Sequence, residues 1–233
     1  EVRVVSADVS ESVRARDADV LRRAGWRHVP VGRGTRLGHA TRVACQRIAA
    51  LAQSVLPHST LALSAWRESW LWHRLADVAA SEPADLFIGH NLPALPAVVA
   101  ASDRVGSACA FDVEDDHCLE LPPNERNSAR YRGRDGMLAR LLPRCRYVTA
   151  ASPGIAAAIA ARYDVPTSLV QNVFPLSERE GLAPAPRTLG SPLRFYWYSQ
   201  TVGLDRGLSE LIRLLGLSRT RVTLTIRGDA EPH

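Results

Sequence analysis

The sequence predicts an α/β protein built on a doubly wound parallel sheet. Three observations support this fold class. Short β-rich apolar segments alternate with segments of helical period from the N-terminus to about residue 172. Several of the apolar segments end in polar or glycine-containing tips, which is typical of strands followed by helices. After a stretch rich in proline and glycine, the strand–helix–strand order begins again.

The first strand–helix–strand unit occupies the N-terminal residues. Val2–Val5 is a short β-rich run, and Val13–Ala24 carries apolar residues at helical spacing. Gly25 is suited to cap that helix at its C-terminal end, and Trp26–Val31 predicts a second strand. Connections this short between strand, helix and strand predict a parallel pair.

The alternation continues to residue 172. Helices are predicted at Ala40–Val55, Trp66–Ala80, Pro93–Ala101, Met137–Leu142 and Pro153–Arg162, and strands at Asp85–His90, Ser107–Phe111, Tyr147–Ala150 and Thr167–Gln171. Leu119–Tyr131 is rich in Pro, Asn and Arg and is expected to be a surface loop. Trp66 and Trp70 are four residues apart in one predicted helix, so we expect both rings on one face, packed in the core or between helices.

The chain is predicted to contain one whole domain and the beginning of another. The first domain spans residues 1–178, a linker with little periodicity spans 179–192, and the second domain starts at 193 and is truncated at 233. Its elements are a strand at Leu193–Tyr198, a helix at Leu208–Leu215 and a strand at Arg221–Arg227. One such unit cannot bury both faces of a parallel sheet, so the rest of this domain is expected to be missing.

Composition narrows the function classes. The net charge is +5, and all 29 basic residues are arginine, spread along the chain with acids between them. Because no block of like charge occurs, nucleic acid is not a predicted partner, while a peripheral contact with anionic lipid stays open. The absence of a long apolar run and of a leader pattern predicts a cytoplasmic protein, with membrane association left open. The four cysteines are far apart in sequence and predict neither a disulfide framework nor a zinc site.

Candidate site residues follow three predicted strands of the first domain. Ligands of open α/β sheets bind where the carboxyl ends of strands converge. His90 follows one strand and is either a sugar contact, a general base or a structural residue. Asp112 and Glu114 follow another and are either a hydroxyl-binding or acid/base pair, or a solvated capping loop. Asn172 follows the last strand. No metal site is predicted, because the spacing of these acids and His117 fits no familiar ligand set.

The second domain offers a candidate diphosphate site. Tyr198–Gly207 joins a predicted strand to a helix and contains Gln200, Gly203, Arg206 and Gly207. Backbone N–H groups and a guanidinium at a helix start suit a diphosphate. An arginine at such a place is also often a solvated side chain, so this loop is a weak signal when taken alone.

Five stretches of the chain together resemble a known family. They are VRVVSADVSESVRARDADVLRRAGWRHVPV, ADLFIGHNLPALPAVVAA, ACAFDVEDDHCLELP, YVTAASPGIAAAIAARYDVPTSLVQNVFPL and LRFYWYSQTVGLDRGLSELIRLL. In this order they resemble the N-terminal half of glycosyltransferase family 4, whose members are retaining enzymes of the GT-B architecture. The fourth stretch is the most specific, and the fifth resembles the opening of the donor-binding domain.

The resemblance implies a function and a set of roles. It implies two Rossmann-like domains, with an acceptor (a sugar or a lipid-linked sugar) bound mainly by the first and a nucleotide-diphosphate sugar bound mainly by the second. His90 would approach the donor sugar, Asp112 and Glu114 would face the cleft, and Arg206 would hold the diphosphate of a UDP- or GDP-type donor. The donor is a substrate, and neither a cofactor nor a metal is expected. The parent protein would act in polysaccharide or glycoconjugate synthesis.

The chain departs from the family pattern at three places. Ser6-Ala7-Asp8 stands where Gly-Gly is common, Gln200 stands where many relatives have a basic residue, and the C-terminal acidic motif is absent. We therefore expect no turnover by residues 1–233 alone. Two alternatives stay open: a non-catalytic or degenerate binding domain, and a GT-B sugar-nucleotide epimerase.

Overall fold

The computed structural model describes residues 1–8, 11–56, 60–182, 188, 190–203 and 207–230. The chain divides into two compact units, Glu1–Val173 and Phe174–His233. The first unit contains strands β1 (Arg3–Ala7), β2 (Arg27–Val31), β3 (Leu86–His90), β4 (Ala108–Val113), β5 (Val148–Ala150) and β6 (Thr167–Leu169). Its helices are α1 (Glu11–Arg23), α2 (Arg36–Val55), α3 (Leu61–Glu68), α4 (Trp72–Ala79), α5 (Ala94–Val105), α6 (Ala129–Leu141) and α7 (Pro153–Tyr163).

All strand pairs of the first unit are parallel. β3, β4, β5 and β6 form a four-stranded sheet in that order, and β1 and β2 form a separate pair in which Arg3 lies opposite Arg27. Helices connect consecutive strands, as parallel pairing requires. The prediction of an α/β protein with a parallel sheet flanked by helices is confirmed.

The core of the first unit lies on the four-stranded sheet. Phe111 and Val113 of β4, Val148 of β5 and Leu95 of α5 are fully buried, and Leu138 of α6 is 1% exposed. These strands are short apolar runs that are buried on both faces. α5 ends at Val105 and is capped by Gly106, whose left-handed φ of 75° is readily adopted by glycine at a helix C-terminus.

The predicted helix Trp66–Ala80 is wrong because the chain breaks near Ser69. Ser69 is extended, with φ −154° and ψ 126°, and its hydroxyl accepts a hydrogen bond from the Leu71 amide at 3.0 Å. This local bond competes with helical pairing. As a result, Trp66 and Trp70 do not share a helix: Trp66 packs edge-to-face on Trp72, and Trp70 packs on His39.

The start of α6 and the end of β4 also differ from those predicted. α6 begins at Ala129 within the expected loop, where Ser128 caps it by accepting a hydrogen bond from the Tyr131 amide. The polar and glycine-rich start of this helix hides its period in the sequence. β4 continues to Val113 because Asp112 and Val113 pair with β5, so Asp112 lies within the strand instead of beyond it.

The second unit contains one parallel strand–helix–strand motif. Its elements are β7 (Leu193–Val202), α8 (Leu208–Gly216) and β8 (Val222–Ala230). Leu208 is the only buried residue among those the structure describes in this unit, and Tyr198 remains 74% exposed. Across the described residues of both units, no helix combines the length and apolar character needed to cross a bilayer.

Candidate functional site

The carboxyl ends of strands β1 to β4 lie at one edge of the first unit, and the contacts of helix α4 show this arrangement. In its first turn, the Arg74 guanidinium donates to the carbonyl oxygen of Gly32, just beyond β2, at 3.0 Å. In its last turn, the Val78 carbonyl accepts from Arg3, the first residue of β1, at 3.4 Å. α4 therefore runs antiparallel to β1 and β2. Because β3 follows α4 in the chain, β3 begins at the same end of the unit as β1 and β2. The loops after β1, β2, β3 and β4 share one edge, where α/β proteins bind ligands.

His90, Asp112 and Glu114 come together at this edge. His90 ends β3 and lies opposite Asp112 in the parallel register of β3 and β4. The His90 Nδ1 atom lies 3.1 Å from Oδ2 of Asp112 and 3.9 Å from Oε1 of Glu114. The imidazole is 59% exposed and the Asp112 side chain is 17% exposed. The imidazole therefore faces solvent, while the carboxylate beside it is largely covered.

Asn91 turns the chain immediately after His90. Its φ of 66° lies in the left-handed region, which asparagine tolerates better than most residues. The turn ends β3 and leads through Pro93 into α5. His90 is thereby fixed at the last position of the strand.

Thr149 is a site residue that sequence reasoning missed. It lies opposite Asp112 in the register of β4 and β5, and its hydroxyl donates a hydrogen bond to Oδ1 of Asp112. Both carboxylate oxygens of Asp112 thus have partners, one to Thr149 and one to His90. A lone threonine in a predicted strand carries no signal of this role, because the contact depends on strand register.

The cluster has two chemical capacities. A carboxylate bonded to Nδ1 holds the imidazole in one orientation and leaves Nε2 to meet a substrate, as either a hydrogen-bond partner or a base. The three side chains also offer one ligand atom each within 4.8 Å of one another, a set able to hold a divalent cation. The prediction of no metal site was based on the spacing of these residues in the sequence. Sequence spacing does not show this grouping, because the pairing of β3 with β4 brings the three side chains together in space.

The remaining candidates of the first unit lie outside the cluster. Asn172 is exposed three residues beyond β6, and within the described residues no hydrogen bond joins it to His90, Asp112 or Glu114. His117 is 2% exposed, with Nδ1 3.4 Å from Oε2 of Glu120.

The donor-side candidates belong to the second unit. Gln200, predicted in a loop, lies in β7, because pairing with β8 continues to Val202 after an irregularity between Tyr198 and Thr201. Gly203 follows that strand directly. Gly207 is the N-cap of α8 with a φ of 71°, which glycine adopts without strain. Arg206 lies outside the residues that the structure describes.

No family model matches this chain, and no curated protein matches it.

Proposed function

We propose that this chain is part of a glycosyltransferase of the GT-B architecture, which transfers a sugar from a nucleotide-diphosphate sugar to an acceptor. The observation that carries the proposal is the His90–Asp112–Glu114 cluster at the carboxyl edge of a parallel sheet. The order of the sequence stretches quoted above supports the same family. In this proposal the first unit binds the acceptor, and the Gln200–Gly207 segment of the second unit contributes to diphosphate binding.

The cluster suits a polyhydroxylated substrate. Carboxylate oxygens accept hydrogen bonds from sugar hydroxyls, and an oriented imidazole either accepts or donates one. In the proposed reaction an acceptor hydroxyl bonds to the anomeric carbon, the bond to the nucleoside diphosphate breaks, and the hydroxyl proton passes to a base. His90 contacts the donor sugar, and Asp112 with Glu114 holds the acceptor hydroxyl.

Binding and transfer are measured separately to test this proposal. Saturation-transfer NMR of the protein with UDP-sugars, GDP-sugars and a panel of mono- and oligosaccharides detects binding, and release of UDP or GDP detects turnover. His90→Ala and Asp112→Asn are expected to weaken carbohydrate binding about tenfold or more, because hydrogen bonds to charged groups contribute about 1.5–3 kcal/mol. His73→Ala, an exposed histidine on α4, is the matched control and leaves binding unchanged.

The outcomes separate the alternatives. If no carbohydrate or nucleotide-sugar binds, or if both cluster variants bind as the wild type does, the proposal is wrong. Sugar binding without nucleotide release, also when a complete donor-binding domain is supplied, would favour the binding-domain alternative. Addition of EDTA is expected to leave binding unchanged, since the proposal assigns the cluster to hydrogen bonding. A strict requirement for a divalent cation would instead assign these side chains to a metal.

A further inference from the structure

A group of basic and aromatic side chains surrounds the loop after β2, apart from the proposed sugar site. We call it the arginine cluster and define it as His39, Arg42, Trp70 and Arg74 around Gly32–Gly34. The His39 and Trp70 rings meet edge-to-face at 4.5 Å, and the Arg42 guanidinium lies 5.7 Å from the Trp70 ring centre. Arg74, four residues after Trp70, reaches the same loop from α4.

Gly34 shows how closely the two guanidinium groups approach. Its φ is 69°, and a Cβ atom added there would collide with Nη1 of Arg74 and lie 3.6 Å from Nη2 of Arg42. Two cations therefore meet over one exposed glycine. Like charges this close repel each other, so the arrangement is stabilised by any anion that lies between them.

No carboxylate of the described residues neutralises the two guanidinium groups. Arg74 donates to the carbonyl of Gly32 and Arg42 to the carbonyl of Arg33, and within the described residues neither forms an ion pair with a carboxylate. The carboxylate of Asp8, beside this loop in the strand register, is paired with Arg14 at 3.0 Å.

Two buried nitrogen atoms of the cluster also have no hydrogen-bond partner among the described residues. They are Nε of Arg42 and Nδ1 of His39, each on α2 and each beside Trp70. Buried polar atoms in folded proteins nearly always have a hydrogen-bond partner, and a bound water or ion is one reason for an unpaired one. The Nε–H of Arg42 is always a donor, so together with the unneutralised guanidinium groups it points to an anion.

We propose that the arginine cluster binds the phosphate group of a phosphate ester. Guanidinium groups match phosphate oxygens with paired N–H donors, and they bind phosphate wherever such planar recognition is needed. The cluster lies at the same edge as His90 and Asp112. If the proposed glycosyl transfer holds, the natural ligand is a phosphorylated acceptor, and this identification of the ligand rests on that proposal. Phosphate binding itself does not depend on it.

Titration with defined probes tests the site. Phosphorus NMR or calorimetry compares inorganic phosphate, glucose 6-phosphate and glucose, and vesicle sedimentation compares phosphatidic acid with phosphatidylcholine. Glucose 6-phosphate is expected to bind at least tenfold more tightly than glucose. Arg42→Gln and Arg74→Gln are each expected to weaken this binding about tenfold or more. Arg47→Gln, an exposed arginine on the same helix, leaves it unchanged.

The soluble and vesicle titrations distinguish a soluble phosphate ester from a lipid headgroup. They also test the phosphate site separately from the proposed sugar site. Binding of the soluble ester that depends on Arg42 and Arg74 supports a soluble ligand, and vesicle binding with the same dependence supports a lipid headgroup. Phosphate binding that both glutamine variants retain overturns the proposal, as does equal binding of glucose and its 6-phosphate. His90→Ala is expected to leave phosphate binding intact, so failure of the sugar site is seen separately.

A measurement on the unmodified protein covers the case in which a variant does not fold. Phenylglyoxal modifies accessible arginines, and mass spectrometry maps the modified positions. Phosphate is expected to protect Arg42 and Arg74 and to leave Arg47 as reactive as before. Equal modification of all three with and without phosphate contradicts the site.

Discussion

Glu68 shows what a single buried charge requires of its neighbours. It forms the most deeply buried ion pair in the described part of the chain, with side-chain exposures of 5% for Glu68 and 10% for Arg134. Its Oε2 atom accepts from Nη2 of Arg134 at 2.7 Å and from Nε at 3.0 Å, and Oε1 accepts from Arg130 at 3.3 Å. The pair joins the last residue of α3 to the middle of α6, and removal of Glu68 leaves the buried Arg134 with only the longer contact to Glu120 at 3.4 Å.

Glu68→Gln is expected to lower the free energy of unfolding by about 3 kcal/mol, because Arg134 stays buried and keeps only the longer contact to Glu120 at 3.4 Å as charge compensation. Urea denaturation followed by circular dichroism measures the change. Glu82→Gln is the control, since Glu82 pairs with Arg3 and Arg27 at a side-chain exposure of 49%. A loss with Glu68→Gln as small as that of the control contradicts the prediction.

The contribution of Glu82 to the free energy of unfolding is expected to depend on pH. The hydrogen bond from Arg27 lowers the pKa of Glu82, with Arg3 adding to the effect and desolvation opposing it. A lowered carboxyl pKa contributes stability at neutral pH that is lost as the pH falls through the folded-state value. The difference between wild type and Glu82→Gln is therefore expected to shrink on acidification.

At the scale of elements, the contact between α2 and α6 depends on one glycine. A Cβ atom at Gly133 of α6 would collide with the amide of Gln53 on α2. Gln53 is 2% exposed, donates to the Ser64 hydroxyl at 3.0 Å and accepts from Arg67 at 3.2 Å. These hydrogen bonds hold the Gln53 amide in place, so it cannot move aside for a side chain at position 133. The close approach of α2 and α6 therefore requires glycine there.

Gly133→Ala is expected to destabilise the protein by roughly 1–3 kcal/mol through overpacking. Gly136→Ala in the same helix meets nothing within 4 Å and is expected to stabilise it by roughly 0.5–1 kcal/mol, the usual gain of alanine over glycine in a helix. The unfolding midpoints in urea compare the two variants. Stabilisation by both substitutions means that Gly133 is not a close-packing position.

At the scale of the whole molecule, burial is concentrated in the first unit. The described part of the second unit buries Leu208 alone, while Tyr196 and Tyr198 of β7 and Ile226 of β8 stay exposed. Backbone hydrogen bonds that are not covered by packed side chains open more easily than those within a core.

Hydrogen–deuterium exchange of the full chain is expected to show this difference. Amides of β3, β4 and β5 exchange slowly, near the rate set by global unfolding, and amides of β7 and β8 exchange at least tenfold faster. Mass spectrometry of peptic fragments resolves the two groups. Equal protection in both would show that the second unit is stabilised as strongly as the first.

Much of the fold and little of the site could be predicted from the sequence. The alternation of β-rich runs with helical periods is local, so the strands and most helices were correctly predicted. His90, Asp112 and Glu114 were predicted beside strand ends, although Asp112 lies within β4. The break at Ser69 was missed because it depends on a local hydrogen bond inside an apolar, helix-like pattern. The start of α6 was missed because its polar and glycine-rich first turns hide the helical period, although Ser128 caps the helix there.

The sequence by itself determined the order of strands and helices, because hydrophobic period and capping residues act over a few neighbours. Only the tertiary structure decided which side chains meet. Strand register set Asp112 between His90 and Thr149, and the antiparallel path of α4 carried Arg74 to the loop after β2. Such contacts join residues far apart in the chain, and their geometry depends on packing that no local pattern records.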